Sequence, residues 1–353
     1  MTDQLPAAST PLRRSEARLT SSDIARLAGV SVSAVSLALN DRPGLSDATR
    51  ARILAIADEN NWRPHRAARA LKGATSDVAG LVIARPARTL GVEPFFAQLV
   101  SGLQSRLSQN AIALQLLIVE DTATEIATYR RWAAENRVAG TVLLDLAVDD
   151  PRPQALADLG IPAVAIGGAG EPWPVTSVWA DDYDAMTALL SYLAALGHRR
   201  FGYIGGTATY EHTRRRSQAV ADLSGTQDLD VRTISTDFSD AQGAEATRAL
   251  LSSFDRPTAL LYDSDVMAVA GLAVATEMGV RVPDELSVAS FDDSVLTRLT
   301  HPAITSLTRD TFSLGALVAD ELMLTVAAGG QRPVSVQTPT PQLIVRGSTA
   351  PPR

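Results

Sequence analysis

The chain has 353 residues, of which 46% are hydrophobic and 20% charged, so it carries enough apolar side chain for a large core and is not disordered as a whole. Its length predicts roughly two or three domains. Cysteine is absent, which excludes disulfides and thiol catalysis and is typical of proteins of the reducing cytoplasm. No run approaches about 18 uninterrupted apolar residues, and residues 1–20 lack the apolar stretch of a secretory signal, so we expect neither a membrane span nor secretion.

The formal net charge of −7 is unevenly distributed along the chain. Residues 1–75 contain eleven basic and seven acidic residues, whereas the remainder contains 21 basic and 32 acidic ones. A basic segment of charge +4 therefore precedes an acidic part of charge −11. The acidic average is typical of proteins that do not bind nucleic acid, but the basic segment is suited to a phosphate backbone.

The first segment, residues 1–19, is polar, contains proline and shows no hydrophobic periodicity. We predict a disordered arm there. Arg13 and Arg14 could contact phosphates, but a solvated tail is the interpretation that we favour.

Two short helices are predicted next, beginning near Thr20 and Ser31. Thr20 with Asp23 three residues later is a typical N-cap, and Gly29 is suited to end this helix because glycine adopts positive φ at little cost. Ser31 caps the second helix. The apolar residues that share a helix face are Ile24, Leu27 and Ala28 in the first, and Val32, Val35, Ala38 and Leu39 in the second.

A third helix is predicted after a loop at residues 40–44, with Ser46 as its N-cap and its end near Asn60 and Asn61. Its inward-facing residues are expected to be Ile53, Leu54 and Ala57. Three short helices with a tight glycine turn between the first two describe a helix-turn-helix, here at residues 20–62. Together with the basic charge, this pattern favours DNA binding over an unrelated helical hairpin.

Residues 63–75 contain one further short helical segment. Pro64 suits its first position, and the sequence HRAARAL leads from there towards Gly73. A helix of about eight residues is not stable alone in water. We therefore expect this segment to become ordered only against a partner.

From Asp77 onward, short apolar runs alternate with helical stretches. Continuous apolar strands separated by helices are typical of parallel sheets covered on both faces. Seven runs are many for one sheet, so we predict an α/β core of two doubly wound parallel-sheet lobes behind a small all-α head. The runs are VAGLVIA from Val78, IALQLLIV from Ile112, GTVLLDL from Gly140, PAVAIGG from Pro162, FGYIGG from Phe201, TALLYD from Thr258 and LSVASFDD from Leu286.

Other motifs give no support for an enzyme, a cofactor or a metal. GGAGEP at residues 167–172 resembles a phosphate loop, but Pro172 and Pro174 stand where a helix N-terminus is needed to receive a phosphate. The four histidines show neither i,i+4 pairing nor nearby cysteines. No G-x-S-x-G elbow is present. We therefore predict no catalytic residue, no cofactor and no metal.

The segment that begins at Asp23, DIARLAGVSVSAVSLALNDRPGLSDATRARILAIADENNWRPHRAARALKG, resembles the DNA-binding head and hinge of the lactose repressor family of bacterial transcription regulators. The resemblance covers about residues 20–350 and continues through GLVIA, PFFAQLVSGL, LGHRRFGYIGG, VPDELSVASFDD, HPAITSL and TPTPQLIVRGST. It implies a homodimer on double-stranded operator DNA. It also implies a core with the periplasmic-binding-protein fold that senses a small molecule, commonly a sugar.

The resemblance also implies the domain limits. The core is expected at residues 76–353, with lobe 1 at about 76–180 and 309–336 and lobe 2 at about 181–308 and 337–350. The chain ends soon after Ser348 without apolar heptads for a tetramer, so we expect a dimer only.

The second helix of the head is expected to lie in the major groove. Its base-facing residues are Val32, Ser33, Ala34 and Leu37, and the residues expected at phosphates are Ser31, Ser36, Asn40 and Arg50. These base-facing side chains depart from the family, because Leu37 stands where a polar side chain often reads a base. Ser33 is then the main donor, and thymine methyls offer apolar contacts, so DNA shape is expected to carry more of the specificity.

The resemblance makes the HRAARAL segment a hinge helix. Leu71 is then the residue that wedges between the two central base pairs from the minor groove, where the cost of unstacking is offset by contacts to bent DNA. Lys72, the single lysine of the chain, falls beside it. The hinge residues expected at DNA or at the partner hinge are His65, Ala67, Ala68, Leu71 and Lys72.

The resemblance places effector contacts in the cleft between the lobes. The expected residues are Arg216, Phe238, Ser264 and Asp292, with Asp145 and Trp179 as weaker candidates and Arg85, Phe95 and Phe96 from the other lobe. A guanidinium, carboxylates, a hydroxyl and an aromatic face suit a ring with vicinal hydroxyls. The alternative is that Phe238 belongs to the core and Arg216 pairs with an acid at the surface. Gly167 stands where some sugar-sensing relatives have a carboxylate, so no particular sugar is predicted.

These observations predict a cytoplasmic, homodimeric regulator, a repressor of carbohydrate-utilisation genes that binds a pseudo-palindromic operator and responds to an effector. A sugar-binding receptor without a DNA role is one alternative, but it has no use for residues 20–73. A regulator that senses a non-sugar such as a nucleobase is another. An enzyme on a doubly wound fold would need catalytic residues at strand ends, and the sequence shows none.

Overall fold

The computed structural model describes residues 19–39, 42–62, 76–85, 91–168 and 173–353, which fall into two compact units, one within residues 1–74 and one within 75–353. The first unit contains helices α1 (Ser21–Ala28), α2 (Val32–Leu39) and α3 (Asp47–Glu59). The elements of the second unit are, in chain order, β1 (Val78–Ala84), α4 (Pro94–Ser108), β2 (Ala113–Val119), α5 (Thr122–Glu135), β3 (Gly140–Leu143), α6 (Arg152–Asp158), β4 (Ala163–Ile166), β5 (Thr176–Trp179), α7 (Asp182–Ala195), β6 (Arg200–Gly205), α8 (Glu211–Gln227), β7 (Asp230–Ser235), α9 (Asp240–Leu251), β8 (Ala259–Tyr262), α10 (Asp265–Glu277), β9 (Ser287–Ser290), α11 (Val295–Leu299), β10 (Thr305–Thr308), α12 (Thr311–Ala327), β11 (Ser335–Gln337) and β12 (Gln342–Ile344).

The head, residues 19–39 and 42–62, has its helix caps at the predicted positions. The Thr20 N–H donates to Asp23 Oδ2 at 2.9 Å while the Asp23 N–H donates to Thr20 Oγ1 at 3.3 Å, which is a capping box. Gly29 has a φ of 64°, the left-handed conformation that lets α2 follow α1 after a tight turn. The buried side chains that join the three helices are Ile24, Ala25, Ala28, Val35, Ala38, Ile53, Ala57 and Trp62.

The apolar faces of the head helices are narrower than predicted. Leu27 is 49% exposed and Leu54 is 37% exposed, although both were expected to face inward. Ile53 and Ala57 are four residues apart and share the buried face of α3, whereas Leu54 lies about 100° further around the helix. Apolar side chains on short helices therefore do not all belong to the core.

No single helix among the described residues is long and apolar enough to cross a membrane. The pair α1 and α2, bent by 98°, passes such a test together by length and composition only. Both of its helices contribute buried residues to the core of the head, Ile24 from α1 and Val35 from α2.

The second unit contains two six-stranded sheets. Lobe 1, defined here by its sheet, has the strand order β11-β5-β4-β3-β1-β2, and all its neighbouring strands are parallel. Lobe 2 has the order β12-β10-β9-β8-β6-β7, parallel except for β12, which is antiparallel to β10. In each sheet the order reverses next to the first strand, which is the doubly wound arrangement that places a ligand at the carboxyl ends of the strands.

Each sheet is covered on both faces, as alternate residues of β1 show. Leu81 and Ile83 pack in a cluster with residues of α4 and α12, whereas Val78 and Val82 pack in a second cluster that contains Trp132 of α5. Lobe 2 has the same construction, with separate clusters on the two faces of its sheet. This two-sided burial is the reason that the central strands are continuous apolar runs.

All seven predicted runs contain strands, but β5, β7, β10, β11 and β12 were not predicted. Strand β10 shows why, because its sequence TSLT is mostly polar while Thr305 and Ser306 are fully buried. Residues near the C-terminus supply their hydrogen bonds: the Thr305 N–H donates to Ser348 Oγ at 2.8 Å. A polar strand satisfied from distant residues carries no local hydrophobic signal.

Helices α4 and α12 cross closely at two glycines. A Cβ on Gly102 would lie 2.0 Å from the Phe312 carbonyl oxygen, and one on Gly315 would lie 2.4 Å from the Leu99 carbonyl oxygen. Only glycine fits at these two positions. The crossing fixes α4, whose first turn carries Phe95 and Phe96 to the cleft described next.

Candidate functional site

The head exposes one edge of α2, the helix expected to contact DNA. Val32 is 45% exposed, and Ser31 and Ser33 are also exposed, whereas Val35 and Ala38 are buried. Partly exposed residues between these two faces are Ala34, Ser36 and Leu37. The predicted DNA-facing residues of α2 therefore share an accessible surface of the head, and their contact with DNA stays a prediction.

Arg50 has a structural contact that the sequence did not indicate. Its guanidinium donates to the carbonyl oxygen of Arg42 at 2.7 Å and to those of Leu37 and Ala38 at 3.3 and 3.4 Å. A cation that donates to the last carbonyls of a helix satisfies groups that have no partner within the helix. Arg50 of α3 thus supports the C-terminal end of α2.

The remaining DNA-contact predictions fall outside the described residues. These are Asn40 of the head and the hinge residues His65, Ala67, Ala68, Leu71 and Lys72.

A cleft lies between the two lobes at the carboxyl ends of their parallel strands. The space between its walls, which includes open solvent, is about 890 Å³. Strands β1, β3, β4, β5, β7, β9 and β10 each lead directly into a residue or loop that lines it. The residues that line the cleft include Arg85, Glu93, Phe95, Phe96, Asp145, Gly167, Trp179, Asp182, Glu211, His212, Arg215, Arg216, Phe238, Asp292 and Arg309.

Eight of the nine expected effector residues line this cleft, namely Arg85, Phe95, Phe96, Asp145, Trp179, Arg216, Phe238 and Asp292. Ser264 does not. It is the N-cap of α10, where its hydroxyl accepts from the Met267 N–H at 3.3 Å. The predicted contact of Ser264 with an effector therefore competes with a role in starting α10.

On the lobe 1 wall, Arg85 is held by two carboxyl groups. Its Nε and Nη2 donate to the two Asp145 oxygens at 2.6 and 2.9 Å, and its Nη1 donates to Glu93 at 3.2 and 3.3 Å. Burial raises the pKa of Glu93 to about 8, although Arg85 opposes the shift. At neutral pH, Glu93 is therefore largely protonated, and Asp145 is the group that balances the charge of Arg85.

Aromatic rings from both lobes enclose the same guanidinium. The Arg85 Cζ lies 5.2 Å from the ring centroids of Phe96 and Tyr210 and 5.0 Å from that of Phe238. Such distances are those of cation–π contacts. Phe238 belongs to the core cluster of lobe 2 and also lines the cleft, and its contact with an effector stays a prediction.

On the lobe 2 wall, Arg216 is buried among acids, not paired at the surface. Its Nη1 donates to the Asp263 carbonyl oxygen at 3.3 Å, and its nitrogens lie 3.7 Å from Asp182 Oδ1 and 3.7 Å from Asp263 Oδ1. Its Cζ lies 3.6 Å from the centre of the Phe291 ring. Arg309 lies on the same wall and donates to Asp292 Oδ1 at 3.3 Å.

His212 adds a neutral ring to this wall. Burial, with the nearby charges of Arg216, Arg85 and Arg309, lowers the pKa of His212 well below its usual range. Its ring centroid lies 5.6 Å from that of Tyr210 and 5.9 Å from that of Phe238. The cleft thus offers aromatic rings beside charged hydrogen-bonding groups.

Several cleft residues were missed by sequence reasoning, namely Glu93, Asp182, Glu211, His212, Arg215 and Arg309. Glu211, His212 and Arg215 lie in the first turns of α8, next to the predicted Arg216, so helical spacing offered a signal for them. Asp182 starts α7, and Arg309 follows the unpredicted strand β10. Among the described residues, no group of three or more His, Asp or Glu side chains is suited to a metal.

The phosphate-loop segment at residues 167–172 is described only in part. Gly167 and Gly168 have φ values of 109° and 74°, conformations that favour glycine, and residues 169–172 lie outside the described part.

Comparisons with known proteins agree on one family. The model of the bacterial regulatory proteins of the lacI family matches residues 20–65, and that of a periplasmic binding protein-like domain matches residues 190–349. The HTH-type transcriptional regulator CelR of Thermobifida fusca is 31% identical over 331 residues, which are 92% of this chain and 96% of CelR.

Two solved structures are similar over most of the chain. A CelR–cellobiose complex has 28% identity and a TM-score of 0.71, and the similarity covers 94% of this chain and 100% of that one. The lac repressor dimer bound to operator and the anti-inducer ONPF has 25% identity and a TM-score of 0.82, with coverage of 94% and 99%.

A helix-turn-helix head followed by two α/β lobes around a cleft is the architecture of a class of DNA-binding transcriptional regulators. The chain belongs to the LacI family of such regulators, which are not enzymes.

Proposed function

We propose that this regulator responds to a carbohydrate bound between its lobes and represses carbohydrate-utilisation genes. The observation that carries the proposal is the cleft itself, where four arginines and several carboxyl groups line the same space as His212 and Phe238, and Tyr210 stacks on Phe238. Sugars combine hydroxyl groups, which both donate and accept, with apolar C–H faces that pack on rings. The CelR–cellobiose complex supports a sugar as the class of effector.

The proposed DNA target is a pseudo-palindromic operator bound by a homodimer in the cytoplasm. The similarity to the lac repressor dimer bound to operator supports both the partner and the dimer. Two-fold symmetric proteins bind half-sites of matching symmetry, with the recognition helix of each head in the major groove. The proposed contacts at the base edges and phosphates are Ser31, which precedes α2, and the exposed residues of α2, with Val32 and Ser33 foremost.

In the proposed mechanism, the effector changes the angle between the lobes and residues 63–75 transmit the change to the heads. Linkers of this length do not form a stable helix alone, so a small displacement is enough to order or melt them. The coupling needs to supply only about 1–3 kcal/mol, the usual range between two sites. Domain limits at residues 20–62, 63–75 and 76–353 are part of the proposal.

A purine nucleobase is the second candidate, because the ring group of Tyr210, His212 and Phe238 would also stack on a planar base. A thermal-shift screen of the full-length protein separates the two candidates. We expect at least one neutral sugar to raise the Tm and hypoxanthine and guanine to leave it unchanged. A shift with a nucleobase and none with any sugar would contradict the carbohydrate proposal.

The wedge role of Leu71 is tested at the DNA. We expect Leu71→Ala to weaken operator binding at least tenfold in a gel-shift titration, because the apolar side chain that offsets base unstacking is lost. Effector binding by the core should stay unchanged. Leu54→Ala, at an exposed apolar position of the head, is the matched control. Equal operator affinity of Leu71→Ala and the unaltered protein would refute the wedge.

A further inference from the structure

The lobe 2 wall contains two arginine–carboxylate pairs that are too wide for a hydrogen bond. Arg215 Nε lies 3.8 Å from Glu211 Oε1, and Arg216 Nη2 lies 3.7 Å from Asp182 Oδ1. Hydrogen bonds between such groups normally span about 2.7–2.9 Å. Both pairs line the cleft, where all four side chains meet the space between the lobes.

Each of these side chains also keeps a buried polar atom without a hydrogen-bond partner in the described part of the protein. The atoms are Glu211 Oε1, Arg215 Nε, Asp182 Oδ1 and Arg216 Nε. Asp182, Glu211 and Arg216 are at most 7% exposed. Buried polar atoms in folded proteins nearly always have hydrogen-bond partners, so a cluster of four unpartnered atoms at one wall requires an explanation.

Helix capping does not explain them. Asp181, not Asp182, caps α7, because its Oδ1 accepts from the N–H groups of Tyr183 and Asp184 at 3.1 Å. The N-cap position of α8 is Tyr210, and its side chain makes no capping hydrogen bond. The unpaired oxygens of Asp182 and Glu211 therefore remain available to a molecule in the cleft.

We propose that each of the two open pairs binds one hydroxyl group of the effector, which accepts a hydrogen bond from the arginine and donates one to the carboxylate. A hydroxyl group is both donor and acceptor, so one oxygen satisfies both members of a pair. A phosphate or carboxylate group only accepts, and would leave Glu211 or Asp182 unpaired beside a second negative charge. The effector is therefore an uncharged sugar or polyol, and sugar phosphates and sugar acids are excluded.

The charge of the whole cleft agrees with an uncharged ligand. The arginines among its described lining residues are Arg85, Arg215, Arg216 and Arg309, and the acids besides Glu93 are Asp145, Asp182, Glu211 and Asp292. Four positive charges thus face four carboxyl groups, and Glu93 is protonated at neutral pH because burial raises its pKa to about 8. No surplus of positive charge is left for a phosphate dianion.

This inference rests on the proposed function and adds Asp182, Glu211 and Arg215 as residues that determine effector specificity. Calorimetric titration of the full-length protein tests it with cellobiose, maltose and ribose, with glucose 6-phosphate, ribose 5-phosphate and gluconate, and with hypoxanthine. We expect a neutral sugar to bind and the phosphates and gluconate not to bind.

Two isosteric variants then test the pairs. Glu211→Gln and Asp182→Asn should each weaken binding of that sugar about tenfold or more, because hydrogen bonds to charged groups are worth about 1.5–3 kcal/mol. Glu245→Gln, an exposed position of lobe 2 outside the cleft, is the matched control and should bind normally. In the ligand-free protein, Glu211→Gln should keep or raise the Tm, since it removes an unpaired buried carboxylate, whereas a purely structural role would lower the Tm.

The outcomes separate the two proposals. If a neutral sugar binds both variants with full affinity, or if a sugar phosphate binds more tightly than its parent sugar, the hydroxyl pairs are wrong and the carbohydrate proposal stands. If no carbohydrate binds, whether or not hypoxanthine does, the carbohydrate proposal fails and the inference fails with it.

Discussion

The arginines on the two walls of the cleft differ in how many of their nitrogens are hydrogen-bonded within the protein. On lobe 1, all three nitrogens of the Arg85 guanidinium donate to Asp145 and Glu93. On lobe 2, Arg215 and Arg216 each keep Nε without an acceptor in the described part of the chain. The arginines of both walls lie beside carboxylates, but among the cleft arginines that the structure describes, the unpaired buried nitrogens belong to Arg215 and Arg216 of lobe 2.

This difference indicates that the hydrogen bonds of the lobe 1 arginine are completed within the protein, whereas those of the lobe 2 arginines are left for a ligand. A fully bonded arginine between rings is rigid and contributes shape and charge balance. An unpaired buried donor is unfavourable unless a ligand satisfies it, so it persists where function requires it. We therefore expect substitutions on lobe 1 to change mainly stability and substitutions on lobe 2 to change mainly binding.

The largest effect is expected from Arg216. Arg216→Ala should abolish the thermal shift caused by the effector and lower stability by about 3–5 kcal/mol, because Asp182 and Asp263 would be left as unbalanced buried charges. Arg216→Lys keeps the charge and should remain folded while it loses at least tenfold in effector affinity. Arg214→Ala, an exposed neighbour on α8, is the control. A full-sized thermal shift in Arg216→Lys would move the effector site elsewhere.

A smaller effect, and one on stability, is expected from Arg85. Arg85→Lys keeps the charge but loses the two-pronged contact with Asp145, so we expect a loss of about 2–3 kcal/mol in urea unfolding. Effector affinity should change by less than in Arg216→Lys. Arg137→Lys, at an exposed arginine of lobe 1, is the matched control. If Arg85→Lys lost binding and kept its stability, the contrast between the walls would be reversed.

A structural element of this protein could be predicted from the sequence where it depends on residues that are close together in the chain. The seven apolar strands and the caps at Thr20, Gly29 and Ser46 were all predictable, because each depends on neighbouring residues. Strand β10 was not, because its buried Thr305 is satisfied by Ser348, 43 residues away along the chain. The exposure of Leu54 was also missed. The period of a helix predicts the direction of its buried face, but not how far around the helix that face extends.

The cleft shows the same division. Resemblance to a family located most of the predicted residues, since eight of the nine lie in the lining. Helical spacing from Arg216 could have placed Glu211 near the cleft, but nothing in a linear sequence shows that the oxygens of Asp182 and Glu211 are buried and unpaired. Arg50 was expected at phosphates, and its contacts with the end of α2 depend on how α3 packs in the head. Which polar atoms are hydrogen-bonded to one another, and which buried ones have no partner, is information that only the structure supplies.

The smallest effect is expected from Glu93 and depends on pH. Burial raises the pKa of Glu93 to about 8 in the folded protein, while the unfolded chain loses this proton near its usual value of 4.5. Between these two pH values the folded state binds more protons than the unfolded state, so this group makes stability fall as pH rises and has no further effect above about pH 8.

Glu93→Gln mimics the protonated form and removes this dependence. We expect the Tm of Glu93→Gln minus that of the unaltered protein to increase from pH 5 to pH 8 and then to level off. Glu135→Gln, at an exposed glutamate of lobe 1, should show a constant difference over the same range. A difference that does not change with pH would mean that Glu93 is ionised beside Arg85, and the lobe 1 wall would then carry one more negative charge, which disfavours an anionic effector further.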